Sequence, residues 1–309
     1  MARDIWEMRN TKMIIGSVAA VGIMALGGAS YVNANGASNE ESDAIELVKK
    51  KKHRHNSFYQ RQHDYNRQNN DRQQYNNSGA RYDENIILPA MRNIQGCVLL
   101  RRKAYTALYD TGKRIPLWVA WHLTKQHTYG GNSRKEMQFQ EDESVKRPRA
   151  TNFDYMSSGY DRGHMCPAGD NKWDRQALRE TFLFTNCCPQ LHSLNSGDWN
   201  DLEIQCREWA RRYGDIYIVC GPVFMNRQHR TIGKNRVVVP EAFFKVVLCM
   251  NGTPRAVGFI YRNEGGRHKM MSYVNSVDEV ERITGFDFFA ALPDNIERRV
   301  EANADFRNF

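Results

Sequence analysis

The sequence predicts an α+β fold whose core is a mixed, mainly antiparallel sheet. Three observations carry this. β-prone segments occur as neighbours joined by tight turns, segments of helical period lie between them without a regular βαβ alternation, and no internal repeat is present.

The elements follow in chain order. The folded part is expected to begin near Ile86, after a tract almost free of aliphatic residues. Ala104 to Leu108 and Pro116 to Leu123 are β-prone and flank Asp110-Thr111-Gly112, a hairpin turn signal. Gln126 to Tyr155 is too charged for core and long enough to be a functional loop. Asp174 to Glu180 reads as helix and Phe182 to Asn186 as extended chain. Trp199, Leu202, Cys206 and Trp209 recur at helical spacing, which predicts a helix over Asp198 to Arg212 with one buried face, ended by Gly214. Trp199 is therefore read as core rather than as a platform for a stacked ring. Ile216 to Cys220 reads as a short buried strand closed by Gly221-Pro222. Ala242 to Met250 pairs with Arg255 to Tyr261 across Asn251-Gly252. Ser276 to Glu279 is a capping box that opens a helix closed by Gly285, and Pro293 begins a last helix.

The chain divides into three parts. Residues 1–34 hold an apolar run, Met13 to Val32, preceded by Arg3, Arg9 and Lys12. It reads as a cleaved signal peptide, with Val32-Asn33-Ala34 at the cleavage position, or as an uncleaved membrane anchor, since ~20 residues suffice to span a bilayer. A buried core helix is the competing reading, and the terminal position and charged flanks argue against it. Residues 35–85 form a linker expected to be disordered, basic and rich in Gln and Asn. Lys49 to Arg72 carries eight basic and two acidic side chains. Its His53, His55 and His63 have no fixed geometry for a metal. Residues 86–309 form the folded domain. The formal charge of the whole chain is +9, and both the linker and the domain share in the basic excess. That suits an acidic partner such as nucleic acid or anionic lipid, or only a solvated basic face. The seven cysteines, Cys97, Cys166, Cys187, Cys188, Cys206, Cys220 and Cys249, include no CxxC pair suited to structural zinc. Export would expose them to oxidation and leave at least one unpaired, and several read equally as buried free thiols.

Asp161-Arg162-Gly163-His164 carries the chemistry. On an extended segment, side chains alternate with period two, so Arg162 and His164 share a face and set a cation beside an imidazole. Phosphodiester cleavage uses such a pair, a base for water and a cation for the phosphate oxygens. Alone, the motif would equally describe a surface Arg beside a satisfied His. The motifs around it decide the matter. They are Ile115 to Trp121, Asp142-Glu143-Ser144, Gly159-Tyr160, Thr185-Asn186 with Pro189-Gln190, Asn195 to Glu203, and Val219-Cys220-Gly221-Pro222. In this order, from about Pro116 to the C-terminus, the chain resembles the DNA/RNA nonspecific endonucleases of the ββα-metal, or His-Me finger, group.

The resemblance implies a role for each matching residue. His164 corresponds to the general base for water, Arg162 to a cation at the phosphate, Asn195 to the one side chain that directly holds a hydrated Mg²⁺ or Mn²⁺, and Glu203 to an acid acting on metal-bound water. An amide oxygen suits Mg²⁺, which keeps several waters and takes few protein ligands. Glu203 stands eight residues beyond Asn195, which on one continuous helix would place both near the same face. Outside the resemblance, Asn195 reads as a helix-capping Asn and Glu203 as a solvated carboxylate, while Asn186 reads as structural support. The family's second upstream arginine is matched by Arg134, with Lys135 as its neighbour and alternative; a lysine would lack the planar fork that grips phosphate.

The implied activity is hydrolysis of DNA and RNA phosphodiester bonds to 5′-phosphate ends, with recognition through the phosphate backbone. The rival is a catalytically inactive nucleic-acid-binding module of the same fold. The N-terminus points to an exported, periplasmic, secreted or membrane-anchored location, with association through residues 13–32. A mitochondrial location is the alternative that the family adds.

Overall fold

In the computed structural model, residues 84–90, 95–304 and 306–309 are described. The apolar run Met13 to Val32 and the basic linker lie outside these residues. No helix among the described residues is long and apolar enough to cross a membrane.

A seven-stranded antiparallel sheet forms the centre. In chain order its strands are β1 (Cys97–Arg101), β2 (Thr106–Asp110), β3 (Ile115–Thr124), β6 (Asp215–Val223), β9 (Ala242–Cys249), β10 (Arg255–Arg262) and β11 (Val274–Asn275), and they lie side by side in that same order. Two small pairs stand apart from it: β4 (Asp161–His164) with β5 (Cys187–Gln190), and β7 (Thr231–Ile232) with β8 (Val237–Val238). The helices are α1 (Asn152–Tyr155), α2 (Arg175–Thr181), α3 (His192–Asn195), α4 (Asp198–Tyr213), α5 (Val277–Thr284) and α6 (Asp294–Glu301). The α+β class and the mainly antiparallel sheet match the sequence expectation.

Both faces of the sheet are covered, which explains why β6 and β9 read as unbroken apolar runs rather than alternating ones. Along β6, Ile216, Ile218 and Cys220 enter one core with Trp199, Leu202, Cys206 and Trp209 of α4. Tyr217 and Val219 enter the other, with Val277 and Val280 of α5, Phe288 and Phe289 of the connection that follows, and Val300 of α6. The buried stripe read from α4 is therefore correct, and Trp199 is fully buried in core.

Four expectations are corrected. Phe182 to Asn186 is not extended: Phe184–Asn186 is a single 3₁₀ turn, fixed because Asn186 donates to the carbonyls of Cys166 and Thr181 and accepts from the Cys166 amide, each at 2.9 Å. The strand comes after it, in Cys187–Gln190. Gly221-Pro222 does not close β6, which runs on to Val223. β3 pairs with β6 only as far as Cys220, so the missing N–H of Pro222 falls where β9 alone is a neighbour. Asn195 and Glu203 do not share a helix, because Ser196-Gly197 separates α3 from α4. The loop from Gln126 to Tyr155 is not wholly solvent-exposed: Asp142, Val145, Ala150, Asp154 and Tyr155 are buried.

The cap and turn signals hold. Ser276 accepts from the Glu279 amide, although the Glu279 carboxylate turns to Arg282 instead of completing the box, and Gly285 ends α5 at φ 75°. Pro293 precedes α6, and a 3₁₀ turn over Phe306–Asn308 follows it. All seven cysteines are free and six of them are buried, so the fold uses them as small apolar residues rather than as cross-links.

Candidate active site

β4 and β5 pair antiparallel over four residues, Asp161 to Gln190 and His164 to Cys187, and α3 follows β5 at once. This ββα unit sits at the edge of the first core. Gly163 is needed in β4 because Gln190 lies across it: a Cβ there would meet the Gln190 Cβ at 2.7 Å. The expected alternation is seen, with Arg162 and His164 on one face.

That face rests on aromatic rings. The His164 ring lies 5.1 Å from Phe139 and 4.9 Å from Phe182, edge-on to the latter. The Arg162 guanidinium lies 5.6 Å from Phe139 and 5.7 Å from Tyr155, and its Nε donates to Asn152 at 2.9 Å. Arg134 stands 5.8 Å over the Phe182 ring. Three cationic or imidazole groups thus share one apolar platform, where cation and ring attract and water is partly excluded.

His164 is 8% exposed, and its Nε2 is buried without a hydrogen-bond partner. Burial, with the Arg134 charge adding to it, pushes its pKa down to about 3. The imidazole is therefore neutral and proton-accepting at any ordinary pH.

On the other face of β4, the Asp161 carboxylate accepts from Asn195 Nδ2 at 2.9 Å and meets His192 Nδ1 at 2.8 Å. The Asn195 amide is held by its nitrogen, and its Oδ1 has no hydrogen bond among the described residues. Glu203 of α4 is half-buried, and no hydrogen bond engages its carboxylate among the described residues. Burial pushes its pKa up to about 7, against the attraction of Lys245, Arg207 and Arg134. Arg134, although exposed, thus acts on both His164 and Glu203, while of Lys135, also exposed, only the backbone amide is engaged, by Ser133.

Beneath Glu203 lies a charged cluster that the sequence reading missed. Lys245 of β9 is fully buried, its Nζ 4.3 Å from the Trp199 ring and without a hydrogen-bond partner. Asp170 is 2% exposed, pairs with Arg207 at 2.9 Å and accepts from Trp121 at 3.1 Å. A lone Lys in the otherwise apolar run Ala242 to Cys249 was the available signal. Asp161 was also missed as an anchor, although it stands in the motif itself.

Residues 83–295 match the family model for DNA/RNA non-specific endonucleases. The chain belongs to this family. It is 37% identical over 200 residues to the mitochondrial nuclease EXOG of Xenopus laevis, covering 60% of this chain and 56% of that one. It is 35% identical over 210 residues to mitochondrial endonuclease G of Homo sapiens, covering 65% and 67% respectively. Among solved structures it resembles endonuclease G in a complex of EndoG with EndoGI, at TM-score 0.64 and 26% identity over 70% of this chain and 95% of that one. The chain thus spans little more than half the length of the EXOG relatives. The ββα unit described above is the part of this endonuclease family's fold that holds the Asp161 to His164 motif.

Proposed function

We propose that this chain is a metal-dependent, sequence-nonspecific endonuclease that hydrolyses DNA and RNA phosphodiester bonds to 5′-phosphate ends. The observation that carries the reading is a neutral His164 that shares one aromatic platform, Phe139 and Phe182, with the Arg162 and Arg134 cations. A base held neutral next to two cations is suited to take a proton from water while phosphate charge is stabilised beside it.

The His164 imidazole accepts the proton of the attacking water. Arg162, steadied by Asn152, faces the nonbridging phosphate oxygens, and Arg134 supports them from the Phe182 side. The donor set fits a hard divalent cation: Asn195 is oriented by Asp161 so that its amide oxygen is left over, and Glu203 offers a carboxylate without another partner. Asn195 would hold Mg²⁺ or Mn²⁺ directly and Glu203 through water, and the ion would supply positive charge to the departing 3′ oxygen. Binding through Arg and Lys contacts to phosphate carries no base information, which supports cleavage with little sequence preference. Beside Phe139 and Asn152 lies a cavity of mixed charge, lined by Arg147, Arg149 and Arg179 and by Glu141, Glu143 and Glu180, with Glu141 paired to Arg147 and Arg149.

Residues 86–309 contain every element of this site, so the domain without residues 1–85 is expected to keep activity within about tenfold, or ~1.4 kcal/mol of barrier. The relatives EXOG and endonuclease G are named as mitochondrial, which supports that location for this chain. The long apolar run after Arg3, Arg9 and Lys12 supports a membrane-directed N-terminus, in export or in an organelle. The test is a plasmid-nicking assay of the full chain and of residues 86–309, with and without EDTA. Nicking that EDTA abolishes supports the proposal. Binding without nicking in Mg²⁺ would show an inactive module, and nicking unaffected by EDTA would exclude the metal.

A further inference from the structure

On the opposite face of the sheet from His164, α5 and α6 bring three carboxylates together. Oxygens of Asp278, Glu281 and Glu301 all lie within 4.8 Å of one another. The three differ in burial: Asp278 is exposed, Glu281 is intermediate, and Glu301 is 5% exposed. Glu301 Oε1 is buried with no hydrogen-bond partner. Glu281 spends one oxygen on the Phe288 amide at 2.6 Å. No ion pair to any of the three is present among the described residues; the nearby Arg282 has its guanidinium on Glu279 at 2.6 Å and 2.8 Å.

A buried carboxylate without a partner is costly unless something positive reaches it. The surroundings make the cost larger, since Glu297 and Asp287 add negative charge, and burial with this repulsion pushes the Glu301 carboxyl up to about 9. Two kinds of positive charge can relieve the cluster, protons or a cation. The geometry admits the cation: oxygens bound to one calcium ion at its usual 2.3–2.6 Å stand at most about 4.6–5.2 Å apart, and the three oxygens fall within that limit. Three carboxylates from two helices also suit Ca²⁺, which takes many oxygens in flexible geometry, better than Mg²⁺, which is usually held by one or two. The exposed Asp278 leaves an entry path from solvent.

We infer that Asp278, Glu281 and Glu301 form a second cation site, of calcium type, that staples the C-terminal helix α6 to α5 and is separate from the catalytic metal position at Asn195. Bound Ca²⁺ stabilises the folded chain by mass action and takes no part in cleavage. Glu301 lies beyond residues 83–295, so the site draws one ligand from outside the segment matched to the family.

Thermal unfolding of the full chain in increasing CaCl₂, after exhaustive chelation, tests this. Wild type and Asn195→Ala are both expected to show the same saturable rise in Tm, about 5 °C at a hundredfold excess over Kd. Glu301→Gln and Asp278→Asn are expected to lose most of it, with calcium affinity weakened at least tenfold. Asp278→Asn alters an exposed side chain and Glu301→Gln removes a buried charge, so both should fold. A wild type with no saturable response to Ca²⁺, or an equal response in both variants, overturns the site. So does a Tm that rises only on acidification, because the carboxyls would then be sharing protons.

Discussion

The central sheet and the ββα unit beside it are built from similar chain but solve opposite problems. In β6 and β9, side chains alternate between two apolar cores, and β9 is paired on both sides from Ala242 to Leu248, as β6 is from Tyr217 to Cys220. In β4, β5 and the neighbouring helices, polar groups are buried with bonds unmade: His164 Nε2 and both Gln190 amide atoms lack partners. Such groups cost stability, and at His164 and Gln190 they lie where a substrate, water or ion would supply the missing contact. The sheet also buries polar atoms without a partner, Trp118 Nε1, Arg255 Nε and the Tyr261 hydroxyl, but Lys245, which lies in β9 and faces the site, stands out from these. Among the described residues of the seven strands it is the one buried charge.

That residue gives the largest effect by which the comparison can be broken. Lys245→Met keeps the length of the side chain but leaves Asp170 and Glu203 with less positive charge. It is expected to destabilise the domain by about 3 kcal/mol, as for other buried charge clusters that lose one member, and urea unfolding measures it. Unchanged stability would mean that Lys245 belongs to the scaffold as packing and not to the site.

Arg134 and Lys135 sharpen the comparison at lower cost. Both are exposed, but Arg134 stands over Phe182 and acts on His164, whereas Lys135 is engaged only through its backbone amide. Arg134→Ala is expected to lower kcat/KM by up to about 10², in the range for one transition-state donor. Lys135→Ala should cost about twofold, as surface changes do. The reverse order would assign the second basic position to Lys135.

The smallest effect is one of shape. An imidazole at its ordinary pKa of about 6.5 would give a rate that rises through neutrality, but burial holds His164 near 3. The activity profile from pH 6 to 8 should therefore show no inflection from His164. For stability, the unfolded chain binds this proton more tightly than the folded one. The contribution from His164 is complete above about pH 6.5 and is lost as pH falls toward 3. A His164 NMR resonance titrating near 6.5 in the folded protein would contradict the burial.

The sequence carried the scaffold well where its signals were periodic or local. The α4 stripe, the Gly214 and Gly285 stops and the β9–β10 pair were all legible because each rests on neighbours in the chain. His164, Arg162 and Asn195 were legible as a joint pattern of motifs. Their support was not: Asp161 reaches Asn195 across thirty-four residues, and Arg134 reaches His164 across an aromatic platform that no local period encodes. The strand Cys187–Gln190 was missed because Pro189 reads against a strand, and Phe182 to Asn186 misread because its turn depends on the Asn186 side chain. The break at Ser196-Gly197 shows that residue spacing placed Asn195 and Glu203 by a route the chain does not take.

The central claim is that His164 acts on the water and Asn195 on the metal, so the two must fail differently. The measurement is single-turnover cleavage of a short duplex against Mg²⁺ concentration for wild type, His164→Ala and Asn195→Ala. His164→Ala is expected to lose about 10² to 10⁴ in maximal rate with its half-saturating Mg²⁺ unchanged. Asn195→Ala is expected to need far more Mg²⁺ and to recover in part as it is supplied. Near-wild-type turnover in His164→Ala, or a Mg²⁺ dependence that Asn195→Ala leaves unmoved, would contradict the assignment.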